Sequence, residues 1–356
     1  MTRRLLLALA TLSLTACSEP PPAPVAPQPD LPSWSRVDVP PPPPVTQDLV
    51  DLGERLYGWN CFPCHGGDGK GDGPNALRQG LKPRDLSRGL FMLKTSRPGE
   101  APFDDDLYRT IAVGIPLGGM PAVKELEPQD RWALVAYLRT LWRPQDEKPR
   151  RWTRPPVPPS PDPARGRTLF VDTVRCAACH GPRGKGDGPS APELRDAWDH
   201  VARVPDLTRG GIGLKSGNSV EDVFRVLTLG MAGTPMPSFE PLPEQDRWDL
   251  AAFVVGLYEP VPPGERVYLR SGCAACHHLG RGQFVGPDLI DVRTRRDRAW
   301  LREWLADPPG MMERDFATRL LFRDFSVQMP NLNLAAADID ALLDYFDSLQ
   351  PAEKRK

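Results

Sequence analysis

The residues with chemistry to offer are few and regularly placed. Cys61-Phe-Pro-Cys64-His65, Cys176-Ala-Ala-Cys179-His180 and Cys273-Ala-Ala-Cys276-His277 are three copies of one unit, C-x-x-C-H. Six of the seven cysteines lie in these units, and three of only five histidines occupy the same slot. The spacing is that of covalent c-type haem attachment. Two thiols a helical turn apart add across the two vinyl groups of one porphyrin, and the next imidazole then lies under the iron as proximal ligand. A structural zinc site fits less well, because it needs four ligands, usually from two separated pairs, and each unit has one pair. A thioredoxin-like dithiol needs no histidine after every second cysteine, and its βαβ surroundings are missing. The expected cofactors are three covalently bound haem c groups on Cys61, Cys64, Cys176, Cys179, Cys273 and Cys276, with iron on His65, His180 and His277.

Composition narrows the sixth ligand. Outside the units only His200 and His278 remain, too few for three bis-histidine irons. His278 directly follows a proximal ligand and cannot reach the other face of that ring. Methionine is the alternative soft donor, and its sulfur raises the potential relative to nitrogen. Most methionines are core filler, so the repeat must discriminate among the eight present. Aligning GIPLGGMP at 114–121 with GMAGTPMP at 230–237 superposes Met120 on Met236 and sets Met231 against Ile115. Met92 falls opposite Gly213 in the same way. Met120 and Met236 lie 55 and 56 residues after their histidines, Met329 lies 52 after His277, and each precedes a proline. Met311 and Met312 lack that context. The assigned distal ligands are Met120, Met236 and Met329.

Positioning these groups falls to elements that also repeat. Each unit follows a short amphipathic segment: Gly53-Glu-Arg-Leu-Tyr57, Gly166-Arg-Thr-Leu-Phe170 or Gly264-Glu-Arg-Val-Tyr268. The first two are followed by GKGDGP and then by DLSRG or DLTRG. Each copy closes on an apolar-periodic stretch, at 127–141, 243–257 and 335–349, which predicts helix. The period is about 100 residues, by the recurrence of these segments.

Together these features resemble class I cytochrome c over nearly all of the chain from residue 46 onward. The resemblance implies a mainly α fold of three tandem cytochrome c-like domains, 46–142, 162–258 and 259–356, joined by Pro-rich linkers. In that family the first helix crosses the last, with a glycine and an aromatic of one meeting an aromatic of the other. The matching residues are Gly53 and Tyr57 with Tyr137, Gly166 and Phe170 with Phe253, and Gly264 and Tyr268 with Phe346. A Gly-Pro after the motif supplies a proline carbonyl to the proximal imidazole, which implies Pro74, Pro189 and Pro287. Trp132 and Trp248 align in the closing helices and read as core.

The remaining segments set context. The N-terminus MTRRLLLALATLSLTAC has two arginines, an apolar run and small residues before a cysteine. It reads as a secretory signal over 1–16, and Leu14-Thr-Ala-Cys17 resembles the lipobox of bacterial lipoproteins, which implies lipidation of Cys17. Residues 17–45 read as a Pro-rich tether and 143–161 as a Pro/Arg-rich linker, a semi-rigid spacer composition expected to leave domain one mobile. The near absence of spacer after Tyr258 is expected to hold haems two and three in fixed relation. Arg293, Arg295, Arg296 and Arg298 are either a docking patch for an acidic partner or a solvated helix start. A formal charge of −1 gives no polybasic signal, so no nucleic-acid partner is expected. The expected function is a lipid-anchored triheme c-type cytochrome, periplasmic with the outer membrane favoured, transferring electrons between redox protein partners. The alternatives are a peroxidase with one open iron position and a fixed electron-transfer subunit of a membrane complex. No catalytic triad, carboxylate pair or phosphate loop is present.

Overall fold

The computed structural model describes residues 34–349 except 80–81, 116–117, 124–125, 143–147, 159, 213–216, 321–324 and 326. The expected signal peptide, Cys17 and the first part of the tether lie outside these residues. Among the described residues the chain is helical, with isolated bridges and no strands. No described helix is long and apolar enough to cross a membrane.

Each domain is closed by a helix crossing whose contact point is a glycine. In domain one, α1 (Gln47–Asn60) starts on Thr46, whose hydroxyl accepts the Leu49 N–H at 3.3 Å, a normal N-cap. α2 (Asp104–Val113) and α3 (Pro128–Leu138) complete the domain. Gly53 of α1 backs onto α3 so closely that a Cβ there would lie 2.0 Å from the Ala133 oxygen. In domain two α4 (Pro163–Thr168), α5 (Val220–Leu229) and α6 (Glu244–Gly256) repeat the plan, and a Cβ on Gly166 would lie 2.1 Å from the Asp249 oxygen. Domain three has α7 (Pro263–Arg270), α8 (Arg298–Ala306) and α9 (Ala336–Ser348), with Gly264 1.9 Å, by the same measure, from the Ala341 oxygen.

The aromatic meets its partner one turn beyond each glycine. Ring centroids lie 5.1 Å apart for Tyr57 and Tyr137, 5.2 Å for Phe170 and Phe253, and 6.2 Å for Tyr268 and Tyr345. The third partner is thus Tyr345, not Phe346. The partner sits four residues after the carbonyl that the glycine touches, which is Ala133, Asp249 or Ala341, and this register selects 137, 253 and 345. Phe346 points instead into the domain-three core. From glycine to first cysteine the copies differ, at eight, ten and nine residues. The extra residues are absorbed just before the motif, by a π turn over Leu169–Thr173 in domain two and by Gly272, at φ 82°, in domain three.

Among the described residues an apolar core forms under each crossing, with a smaller cluster of Leu49, Ala133 and Ala136 in domain one. Trp132 packs on Tyr108 of α2 at 4.8 Å and Trp248 stacks on Phe224 of α5 at 3.8 Å. Both aligned tryptophans are therefore core residues.

The described linker residues 150–152 are packed on the domains. The Trp152 N–H donates to the Thr95 carbonyl at 2.8 Å, and the Arg97 N–H donates to that of Arg150 at 3.3 Å. Arg151 forks onto both oxygens of Asp105 at 2.8 and 3.0 Å, and the Trp152 ring then lies 6.2 Å from Phe224 in domain two. The end of the tether joins the fold as well, since Val37 and Val39 pack on the domain-one core. Trp34 is buried, its indole N–H donating to Thr110 Oγ1 at 2.9 Å. The guanidinium groups of Arg109, at 5.5 Å, and Arg225, at 4.7 Å, both lie over its ring. These arginines hold the same position in α2 and α5, so Trp34 meets equivalent faces of domains one and two. The expectation of a mobile domain one is corrected accordingly. Trp34→Ala should cost about 3 kcal/mol, the lower end for deleting a buried large aromatic. The loss should appear as two separated thermal transitions where the parent shows domains one and two melting together.

At the second junction the Glu259 N–H donates to the Thr208 carbonyl at 2.7 Å, and Arg209 pairs with Glu265.

Candidate haem attachment sites

In all three copies the histidine N–H donates to the carbonyl of the first cysteine, at 2.8 Å for His65 and 2.9 Å for both His180 and His277. Each C-x-x-C-H is therefore a single helical turn, which puts the residues at i, i+3 and i+4 on one face. The returning chain is fastened against that turn by a glycine. Gly73, Gly188 and Gly286 donate their N–H to the carbonyl of the second cysteine, at 3.1, 3.2 and 2.7 Å. A Cβ on Gly73 or Gly188 would lie 2.4 Å from a motif carbonyl, and one on Gly286 2.5 Å from His277 Cε1. No other residue type fits there without displacing the motif.

The carbonyl that faces each imidazole departs from expectation in two copies. His65 Nδ1 lies 3.1 Å from the carbonyl of Arg84, not Pro74. The carbonyl beside His180 is that of Pro205, not Pro189; it is near enough to favour the protonated ring, yet Nδ1 closes no hydrogen bond of normal geometry. In the third copy His277 Nδ1 lies 2.8 Å from the Pro287 carbonyl. The shared feature is Asp-Leu: Arg84, Pro205 and Pro287 each precede it, in Asp85-Leu86, Asp206-Leu207 and Asp288-Leu289. In copies one and two an insertion separates the fastening glycine from this residue. In copy three the two are adjacent, so one Gly-Pro serves both tasks.

Burial pushes the Cys61 thiol up to about 12, with neighbouring Cys64 adding to it, and pushes Cys176 and Cys276 up to about 11. Redox dithiols and zinc ligands need the opposite shift. Among the described residues no three His, Cys, Asp or Glu side chains converge as a metal cluster would require. Burial also lowers the three proximal histidines, His180 to about 4, against a smaller raising effect of the adjacent carbonyls. An imidazole kept neutral, with Nδ1–H turned to a carbonyl, leaves Nε2 as an unprotonated donor for iron. The donor set and the glycine cradle both fit haem c.

On the distal side the first two loops match. The Ile115 N–H donates to the Met120 carbonyl at 2.8 Å and the Met231 N–H to that of Met236 at 3.1 Å, the pairing that the repeat alignment requires. Both methionines are half-buried, and Met236 packs on the domain-two core. Met329 packs on the domain-three core, where its sulfur accepts a hydrogen bond from Trp304 Nε1 at 3.0 Å. Trp304 lies on α8 and stacks on Trp300 at 5.4 Å. Sequence reasoning missed it because α8 has no counterpart sequence in the other copies. An N–H on the sulfur withdraws electron density from it. If Met329 binds iron, Trp304→Phe should lower the midpoint potential of that centre alone, as read by redox titration.

The arginine cluster is consumed within domain three: Arg293 and Arg298 pair with Asp347, Arg298 also with Asp344 at 2.7 Å, Arg295 with Asp291 at 2.9 Å, and Arg296 lies over Trp300. Pairs from Arg293 and Arg298 tie α8 and its approach to α9. His278 stacks on Phe284 at 4.3 Å. His200 is half-buried beside Asp196, 3.5 Å away.

A sequence profile of the family described as cytochrome c matches residues 50–142 and 163–257. The chain belongs to the cytochrome c family. Covalently held haem c and electron transfer come with that membership. Domain three lies outside the matched residues. Among solved structures, the chain is similar to the reducing HAO-like protein complex of Kuenenia stuttgartiensis, at 33% identity over 63% of this chain and 100% of that one, with a TM-score of 0.56. A cytochrome c from Rhodothermus marinus is 29% identical over 24% of this chain and 73% of that one, with a TM-score of 0.23. A cytochrome c domain from Pseudomonas putida is 36% identical over 24% and 84%, with a TM-score of 0.22. The comparison with curated proteins gave no match.

Proposed function

We propose that this cytochrome is a triheme electron carrier of the bacterial envelope, held to a membrane by lipid on Cys17 and passing single electrons between redox protein partners. The observation that carries the reading is the common fastening of all three motifs, a glycine N–H on the second cysteine's carbonyl with a further carbonyl turned to the histidine. It extends the cytochrome design to domain three. His65, His180 and His277 would hold iron from one side and Met120, Met236 and Met329 from the other. Bound haem c supplies an iron that takes up and releases one electron without changing its His/Met ligands. The protein's part is to bury the ring, orient the imidazole and hold the thioether loop.

The test is a haem count by mass on the mature protein together with a redox titration followed by low-temperature spectra. Three low-spin centres of comparatively high potential are expected; bis-histidine or high-spin iron at all three would overturn the ligand assignment. For localisation, Cys17→Ser should move the protein from the membrane fraction, with the outer membrane favoured, to the soluble periplasmic fraction. A second reading, a fixed subunit of a larger assembly, is favoured by the similarity to a chain of a protein complex. It predicts a partner that co-purifies in fixed stoichiometry.

A further inference from the structure

The three sites touch one another through two contacts of the same kind. Gly233 lies in the loop that carries Met236, and a Cβ there would lie 2.3 Å from a terminal nitrogen of Arg84 and 2.7 Å from the Trp198 ring. Arg84 is the residue whose carbonyl faces His65, and its guanidinium is stacked 4.4 Å from the Trp198 ring centroid. The distal loop of site two is therefore packed on the proximal side of site one. Gly119 lies in the loop that carries Met120, and a Cβ there would lie 2.8 Å from Cζ of Phe284. Phe284 stacks on His278, next to His277, at 4.3 Å. Its N–H donates to the Gly286 carbonyl at 3.0 Å, and the Gly286 N–H donates to Cys276 at 2.7 Å. The distal loop of site one is therefore packed on the proximal side of site three. Both loop glycines have positive φ, 76° at Gly233 and 81° at Gly119, so neither contact tolerates a side chain.

We infer that site one exchanges electrons directly with each of the other two, through the two packed loops. The inference rests on the triheme reading. Tunnelling through protein falls off exponentially with distance, so packed sites exchange and separated ones do not. Each step moves one electron: the donor centre is oxidised by one unit, the acceptor is reduced by one, no bond is made or broken and no proton moves. The short junction at 258–263 joins domains two and three in sequence, while the loop contacts at the attachment sites join each of them to site one.

The test is pulsed electron paramagnetic resonance on the fully oxidised three-haem protein. Met120→His, Met236→His and Met329→His each shift one centre's signal and so assign it. Two dipolar couplings are expected, both involving the Met120 centre. A coupling between the second and third centres stronger than either of these would overturn the inference. A haem count other than three by mass would instead overturn the triheme reading, and the count is made first.

Discussion

Replacing Gly53 by alanine should destabilise domain one by about 3 kcal/mol or more, the upper end of the cost of overpacking a core. The added methyl would lie 2.0 Å from the Ala133 oxygen, 2.6 Å from its carbon and 2.8 Å from Tyr137 Cβ. Two of these three atoms are helix backbone and cannot rotate away. Relief requires α1 and α3 to separate by more than 1 Å, a shift of the size that forfeits much of the dispersion contact along the crossing. Against a typical total stability of about 5–15 kcal/mol, that is a large share of what holds the attachment site closed. Gly58, five residues on in the same helix, has nothing within 4 Å of its own added Cβ. Gly58→Ala should stabilise the helix by about 0.5–1 kcal/mol, because glycine in a helix interior carries that entropic cost. Urea unfolding of the two variants should move the midpoint in opposite directions with the slope unchanged. A Gly53→Ala protein as stable as the parent would remove the crossing from the account of the fold.

The crossing was legible in the sequence because each glycine and its aromatic repeat at fixed separation in one helix. The partner on the other helix was legible only where register was unambiguous. Tyr345 and Phe346 are adjacent aromatics, and nothing in the local sequence says which faces α7; the Ala341 contact does. The proximal carbonyls show the same limit. Pro74, Pro189 and Pro287 share a Gly-Pro, but in the first two copies that dipeptide fastens the loop, and the residue facing the histidine comes later, before Asp-Leu. Two functions fused in the short third loop are separate in the longer ones, and aligning on the short loop transfers both to the wrong place. The linker was misjudged for a different reason. Arg151 and Trp152 in a Pro-rich run look like solvated spacer until their partners, Asp105, Thr95 and Phe224, are brought to them from 46 to 72 residues away. Trp34 is illegible for the same reason: its significance lies in two arginines, one from α2 and one from α5, that only the folded chain brings to one ring.

Met236 offers the sharpest separation of ligand from filler. Met236→His should lower the midpoint of one centre by on the order of a few tenths of a volt, a fraction of the roughly 0.8 V range that axial ligands span. The direction follows from replacing a thioether by a nitrogen donor, which favours the oxidised iron. The loop that carries the residue is held by its own backbone. Met231 donates to the Met236 carbonyl at 3.1 Å, the Met236 N–H donates to Thr234 Oγ1 at 3.2 Å, and Ser238 Oγ donates to the Thr228 carbonyl at 2.6 Å. A side-chain change there leaves the loop in place. Met236→Leu conserves volume and should cost less than about 1.5 kcal/mol of stability, yet it removes the only soft donor at that position. If Met236 is a ligand, one centre should then become high-spin or take up an exogenous ligand, while the rest of the spectrum is kept. Met231→Leu, five residues earlier and paired with Ile115 in the repeat, is the control. If Met236 only fills the core, the two leucine variants will be spectroscopically silent alike; if it binds iron, Met231→Leu alone will be silent.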